Sequence, residues 1–168
     1  MIEFGDAENP TLLTGHYDYV ALYSADCDHP CPPGEADNWT PDHRRWITFA
    51  GNPECSIIDY EKYTRDYSDP TLLRNWLTER ANNKSMRHAW IYSDLSNTPQ
   101  AAHWARGLPF QWWIATDDNI QRAPSHIVAL MRAWGCPAAY AKTSLIAANQ
   151  WQSTPTVDGS SCFVDANW

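Results

Sequence analysis

Asp59 and Glu61, one residue apart at the end of the apolar run Ser56-Ile57-Ile58, are the side chains best placed to do chemistry in this chain. If the run is a β-strand, alternation of side chains puts both carboxylates on one face. Two residues of strand advance about 6.6 Å, and rotamer choice then brings the carboxyl groups together or apart. That range is the one in which paired carboxylates perform acid/base work on glycosidic bonds. The plainest alternative is that Asp59-Tyr60-Glu61-Lys62 is a charged, solvated strand exit. The elements around the pair decide between these readings.

Tyr17 to Ser24 has the aromatic and β-branched content of a buried strand and runs into a polar, Pro-rich loop from Ala25 to Asn38. Thr40-Pro41 reads as an N-cap with Pro at the first helical position, opening a helical turn or two. Arg45 to Ala50 is a second strand and Cys55 to Tyr60 a third. Asp69-Pro70 opens the clearest helix, with Leu72, Leu73, Trp76 and Leu77 on its apolar face and Arg74, Glu79 and Arg80 mostly elsewhere. His88 to Ser93 is a fourth strand. A helix follows from Thr98-Pro99 to Gly107, and Phe110 to Ala115 is a fifth strand. A helix from Pro124 turns Ile127, Leu130, Met131 and Trp134 inward and ends at Gly135. Ala138 to Ala141, Ala147 to Gln152 and Cys162 to Asp165 then read as short strands with little helix between them.

Strand–helix alternation with short loops implies parallel strands and right-handed crossovers. The expected class is α/β, a shortened (β/α) barrel of the TIM type whose terminal strands lack helices, in a single domain over residues 1–168. No glycine-rich phosphate turn follows the first strand, which argues against a Rossmann fold. Barrel chemistry sits where strands end. Asp59 and Glu61 lie at such an end, as do Asp26 and Asp28, Ser93-Asp94, and Asp117-Asp118.

Composition narrows the classes. The chain has 168 residues, 43% of them hydrophobic and 19% charged, which is enough for one well-packed core. Ten Trp and eight Tyr supply core pieces and also rings able to stack on sugars. A net charge of −8 with no basic run argues against nucleic acid, whose binding rests on phosphate neutralisation. Met1 to Asp6 carries neither a basic n-region nor an apolar h-region, and no apolar run is long enough to span a bilayer, so neither a secretory signal nor a membrane segment is expected. Five Cys, an odd number, argue against a dense disulfide framework, although Cys27 and Cys31 could bridge locally. Cys27-Asp28-His29-Pro30-Cys31 gathers metal-ligand types, but no second pair follows at zinc spacing, and no metal or cofactor is expected. Asn38-Trp39-Thr40 fits a glycosylation sequon. There is no Gly-x-Ser-x-Gly elbow, P-loop or His-Glu-x-x-His.

The strand Ser56-Ile57-Ile58-Asp59-Tyr60-Glu61 resembles the catalytic strand of the family-25 glycoside hydrolases, the muramidases typified by phage endolysins. Gln150-Trp151-Gln152-Ser153, Gly159 and then Val164-Asp165-Ala166-Asn167 are similar to that family's closing segment. Trp90-Ile91-Tyr92-Ser93 and Trp112-Trp113-Ile114-Ala115 are similar to two of its inner strands. The likeness runs in order over residues 45–168 and is nearest to short actinobacteriophage members. It implies hydrolysis of the β-1,4 bond between N-acetylmuramic acid and N-acetylglucosamine. Glu61 would be the general acid, kept protonated by burial beside Asp59; Asp59 would stabilise developing positive charge, and Asp165 would help orient the pair. The family's first-strand acid would be Asp26, with Asp28 competing. Tyr92, Trp113 and Trp151 would form the sugar site. The implied partner is peptidoglycan or another cell-surface glycan, and the setting a virion or release at host lysis. The family's opening Asp-x-Ser is replaced by the looser Tyr23-Ser24-Ala25-Asp26. The same resemblance admits a second role, a catalytically silent barrel that serves as a virion structural or wall-binding module alongside other virion proteins.

Overall fold

A computed structural model describes residues 2–6, 19–27, 30–61, 69–83, 88–153 and 158–162. Eight strands close into a barrel in sequence order. They are β1 (Ile2–Asp6), β2 (Tyr19–Tyr23), β3 (Arg44–Thr48), β4 (Ile57–Asp59), β5 (Trp90–Asp94), β6 (Gln111–Ala115), β7 (Ile146–Ser153) and β8 (Asp158–Cys162). Strands β1 to β7 are parallel to their neighbours, whereas β8 runs antiparallel to both β7 and β1 and closes the ring. Three α-helices lie among the described residues: α1 (Pro70–Asn82), α2 (Thr98–Trp104) and α3 (Pro124–Ala133). They cover β4 to β7, while β2 and β3 are backed by loops and short 3-10 turns.

Two apolar layers build the core, and period-2 alternation assigns residues to them. Along β5, Trp90 and Tyr92 belong to the barrel interior, while Ile91 faces the helices. Along β6, Trp113 and Ala115 are interior, and Trp112 and Ile114 are outside. The outer layer meets Leu73, Trp76 and Leu77 of α1, Ala101 and Ala102 of α2, and Ile127, Val128 and Met131 of α3. Trp90, Trp112 and Trp113 are fully buried. The first two also place their indole N–H groups on acceptors, Trp90 on Gln111 Oε1 at 3.2 Å and Trp112 on the Tyr140 carbonyl at 3.0 Å.

Helix starts follow the sequence signals. Asp69 caps α1 by accepting the Thr71 N–H at 3.0 Å, with Pro70 at the first position. Gly135 ends α3 with φ of 92°, a conformation that costs glycine nothing.

The structure adds to or corrects the sequence expectations at four places. Ile2–Asp6 is a strand to which the sequence analysis assigns no element, its apolar alternation being only Ile2 and Phe4. Ala138 to Ala141 is a turn rather than a strand, closed by Tyr140 and Ala141 N–H groups on the Pro137 carbonyl. Trp134 is 56% exposed instead of facing inward, since α3 stops at Ala133 and turns Val128 to the core in its place. Arg80, read only as lying mostly off the apolar face of its helix, is buried. No helix among the described residues is long and apolar enough to cross a membrane.

Candidate active site at the C-terminal end of the barrel

Asp59 ends β4 on the interior face that Ile57 begins, and it is only 3% exposed. In register beside it stands Tyr92 of β5, and beside Tyr92 stands Trp113 of β6. The two rings meet edge to face with centroids 4.7 Å apart. The ladder continues one bond past the strand, where the Tyr60 N–H donates to the Tyr92 carbonyl at 2.9 Å, so the exit toward Glu61 remains extended. Glu61 is partly exposed. The burial expected for Glu61 falls on Asp59, while Glu61 keeps part of its surface exposed at the strand exit.

Other strand-end acids have structural work. Asp26 accepts from the hydroxyls of Ser24 and Thr48 and, at 3.3 Å, from the Ala50 N–H. Thr48 in turn accepts the N–H groups of Ala50 and Asn52 at 3.2 and 3.0 Å. Asp26 therefore joins the end of β2 to the loop after β3. Asp94 takes the Asn97 N–H and side-chain amide, both at 2.9 Å, and the Ser96 hydroxyl at 2.7 Å, which shapes the entry to α2. Asp118 forms a two-pronged ion pair with Arg122 at 2.5 and 2.6 Å, which holds its carboxyl below the usual range. That pair braces a rim loop in which Asp117 and Asn119 take φ of 46° and 59°.

Trp113 has no exposed surface, so it supports Tyr92 edge-on and does not offer a face to a sugar. Trp151 is partly exposed, and its carbonyl accepts the Asn119 N–H at 2.7 Å, tying the rim loop to β7. Gln150, which the sequence analysis quotes in the closing segment without giving it a role, is 2% exposed in register with Ala115 of the interior layer. Asp28 and Asp165 lie outside the described residues. No cluster of three or more metal-ligating side chains exists among the described residues.

The thiols beside Asp26 are buried and protonated at neutral pH. Burial pushes the Cys27 thiol from 9.0 up to about 12, with the Ser24 hydroxyl opposing and the Asp26 charge adding to the rise. Burial likewise pushes Cys55 up to about 11. Cys27 and Cys31 are both free thiols, so no local bridge forms between them.

Two predictions arise from this network. Thr48→Val keeps the side-chain shape but removes a donor from the Asp26 carboxylate, one of the two acceptors of the Ala50 N–H and the acceptor of the Asn52 N–H. It is expected to lower unfolding stability by about 1–3 kcal/mol in urea titrations. For the thiols, the folded pKa lies above the unfolded one, so the unfolded chain loses protons first. Their contribution is complete below about pH 9 and declines as pH rises toward the folded values near 11 and 12. A Cys27→Ala/Cys55→Ala variant is expected to show a flatter decline in Tm between pH 9 and 11 than the natural chain.

No protein-family model matches this chain, and neither a curated protein nor a solved structure matches it.

Proposed function

We propose that this chain is a shortened barrel of the TIM type that hydrolyses the β-1,4 glycosidic bond between N-acetylmuramic acid and N-acetylglucosamine in peptidoglycan. The observation that carries this reading is the asymmetric pair at the end of β4: Asp59 is buried next to Tyr92, and Glu61 is partly exposed on the same strand exit. Two carboxyl groups one residue apart on a strand exit can divide acid and stabiliser roles between them. Glu61 reaches the rim, where it donates its proton to the glycosidic oxygen as the bond to the anomeric carbon breaks. Asp59, held within the barrel mouth, stabilises the positive charge that develops on the sugar or on its acetamido group. Trp151 is the ring available at the rim for a pyranose face.

A second reading is favoured by a specific observation. Trp113 is fully buried, and Tyr92 and Asp59 are 7% and 3% exposed, a mouth more closed than a glycan cleft requires. On that reading the barrel binds cell-wall glycan or other virion proteins without cleaving anything.

The deciding experiment measures new reducing ends released from purified peptidoglycan by the wild-type protein and by Glu61→Gln. Release by the wild type that disappears in the folded variant supports the hydrolase. A folded wild type that sediments with peptidoglycan yet releases nothing from acidic to neutral pH overturns it and supports the binding role.

A further inference from the structure

A pocket apart from Asp59 and Glu61 lies between the end of β2 and the β3–β4 connection, beside Asp26, and its origin is topological. Only Phe49 to Ser56 connect β3 to β4, too few residues for a helix on that side. The connection instead folds back over the strand and is clamped along its length. Thr48 accepts the Asn52 N–H at 3.0 Å, Trp76 Nε1 donates to the Asn52 carbonyl at 3.0 Å, and Arg80 holds the Pro53 and Cys55 carbonyls. Between this loop and the end of β2 remains a cavity of about 250 Å³ lined by Ser24, Ala25, Trp46, Asn52, Glu54 and Cys55.

The chemistry of the lining is graded. Ser24 and Cys55 are buried and form the base, and Cys55 is a neutral thiol at physiological pH. Trp46 is partly exposed and supplies an aromatic wall. Glu54 is exposed at the mouth, and its carboxylate takes part in no hydrogen bond or ion pair among the described residues; only its N–H is engaged, by Asn52 Oδ1 at 3.0 Å. A carboxylate with no hydrogen-bond donor of its own among the described residues, next to an indole and a small base of hydroxyl and thiol, is complementary to a small organic cation. The volume is too small for a disaccharide, which separates this pocket from any glycan cleft.

We propose that this pocket binds a small primary ammonium compound, with its aliphatic stem against Trp46 and Cys55 and its charged head at Glu54. The proposal stands independently of glycoside hydrolysis. The test is calorimetric titration of the full chain with n-butylammonium, with 1-butanol as its uncharged counterpart, at low salt. Saturable one-to-one binding of the ammonium but not the alcohol is expected, weakened about tenfold by Glu54→Gln and by Trp46→Leu. Thermal melts establish that both variants fold. A chemical-shift map with n-butylammonium should centre on residues 46 and 52–55. Absence of saturable binding, equal binding of butanol, or unchanged affinity in folded Glu54→Gln overturns the proposal.

Discussion

Arg80→Ala is expected to destabilise the protein by about 3 kcal/mol or more, the largest effect of any single substitution outside the apolar core. Arg80 is 4% exposed at the end of α1, and burial lowers its pKa, yet its partners are carbonyls instead of a carboxylate. Nη1 donates to the Pro53 and Cys55 carbonyls at 2.7 and 2.5 Å, and Nη2 donates to the His88 carbonyl at 2.7 Å. The guanidinium also lies 5.3 Å from the centre of the Trp76 ring. One side chain thus ties the helix to the segment entering β4 and to the segment entering β5. Alanine would leave those carbonyls without their donors and open space over Trp76. Lysine carries the same charge but cannot spread its donors over a planar fork, so Arg80→Lys should recover less than half of the loss. Chemical denaturation of the three proteins checks the order. Equal stability of Arg80→Lys and wild type would mean that charge, not the fork, does the holding.

Arg80 also marks where sequence reasoning runs out. Its position in α1 was legible, because Asp69-Pro70 and the Leu72, Leu73, Trp76, Leu77 spacing define that helix. Its burial was not, because nothing in a helix pattern tells which cation will be drawn inward by carbonyls from two distant loops. The same division holds for the acids. That Asp26, Asp59, Asp94 and Asp118 lie at or just past strand ends follows from local pattern. Which of them are consumed by hydrogen bonds depends on neighbours such as Thr48, Asn97 and Arg122, brought close by the fold. Strands rich in β-branched and aromatic residues were readable, whereas Ile2–Asp6 acquires its strand character from pairing with β2 and β8 on either side. Alternation placed Asp59 and Glu61 on a common face but could not show that Asp59 is the buried one of the two.

The exposure of Glu61 gives the catalytic reading its sharpest consequence. Glu61→Gln is expected to reduce release of reducing ends by about a hundredfold to ten-thousandfold, the range for loss of a general acid. A partly exposed side chain changed to its own amide should leave the melting temperature nearly unaltered. Asp59→Asn is expected to cut activity as well, but with a different sign for stability. Burying a carboxylate within the barrel mouth costs desolvation energy even where hydrogen bonds compensate it. The amide keeps the shape and removes the charge, so the variant should be as stable as wild type or more so. A site that sacrifices stability to hold a charge is the usual mark of function. If Asp59→Asn instead lowers the melting temperature sharply, the carboxylate is a structural tie, and the case for its charge-stabilising role falls. If both variants fold and retain full release of reducing ends, the pair at the end of β4 does no catalysis, and hydrolysis by this barrel has to be sought elsewhere.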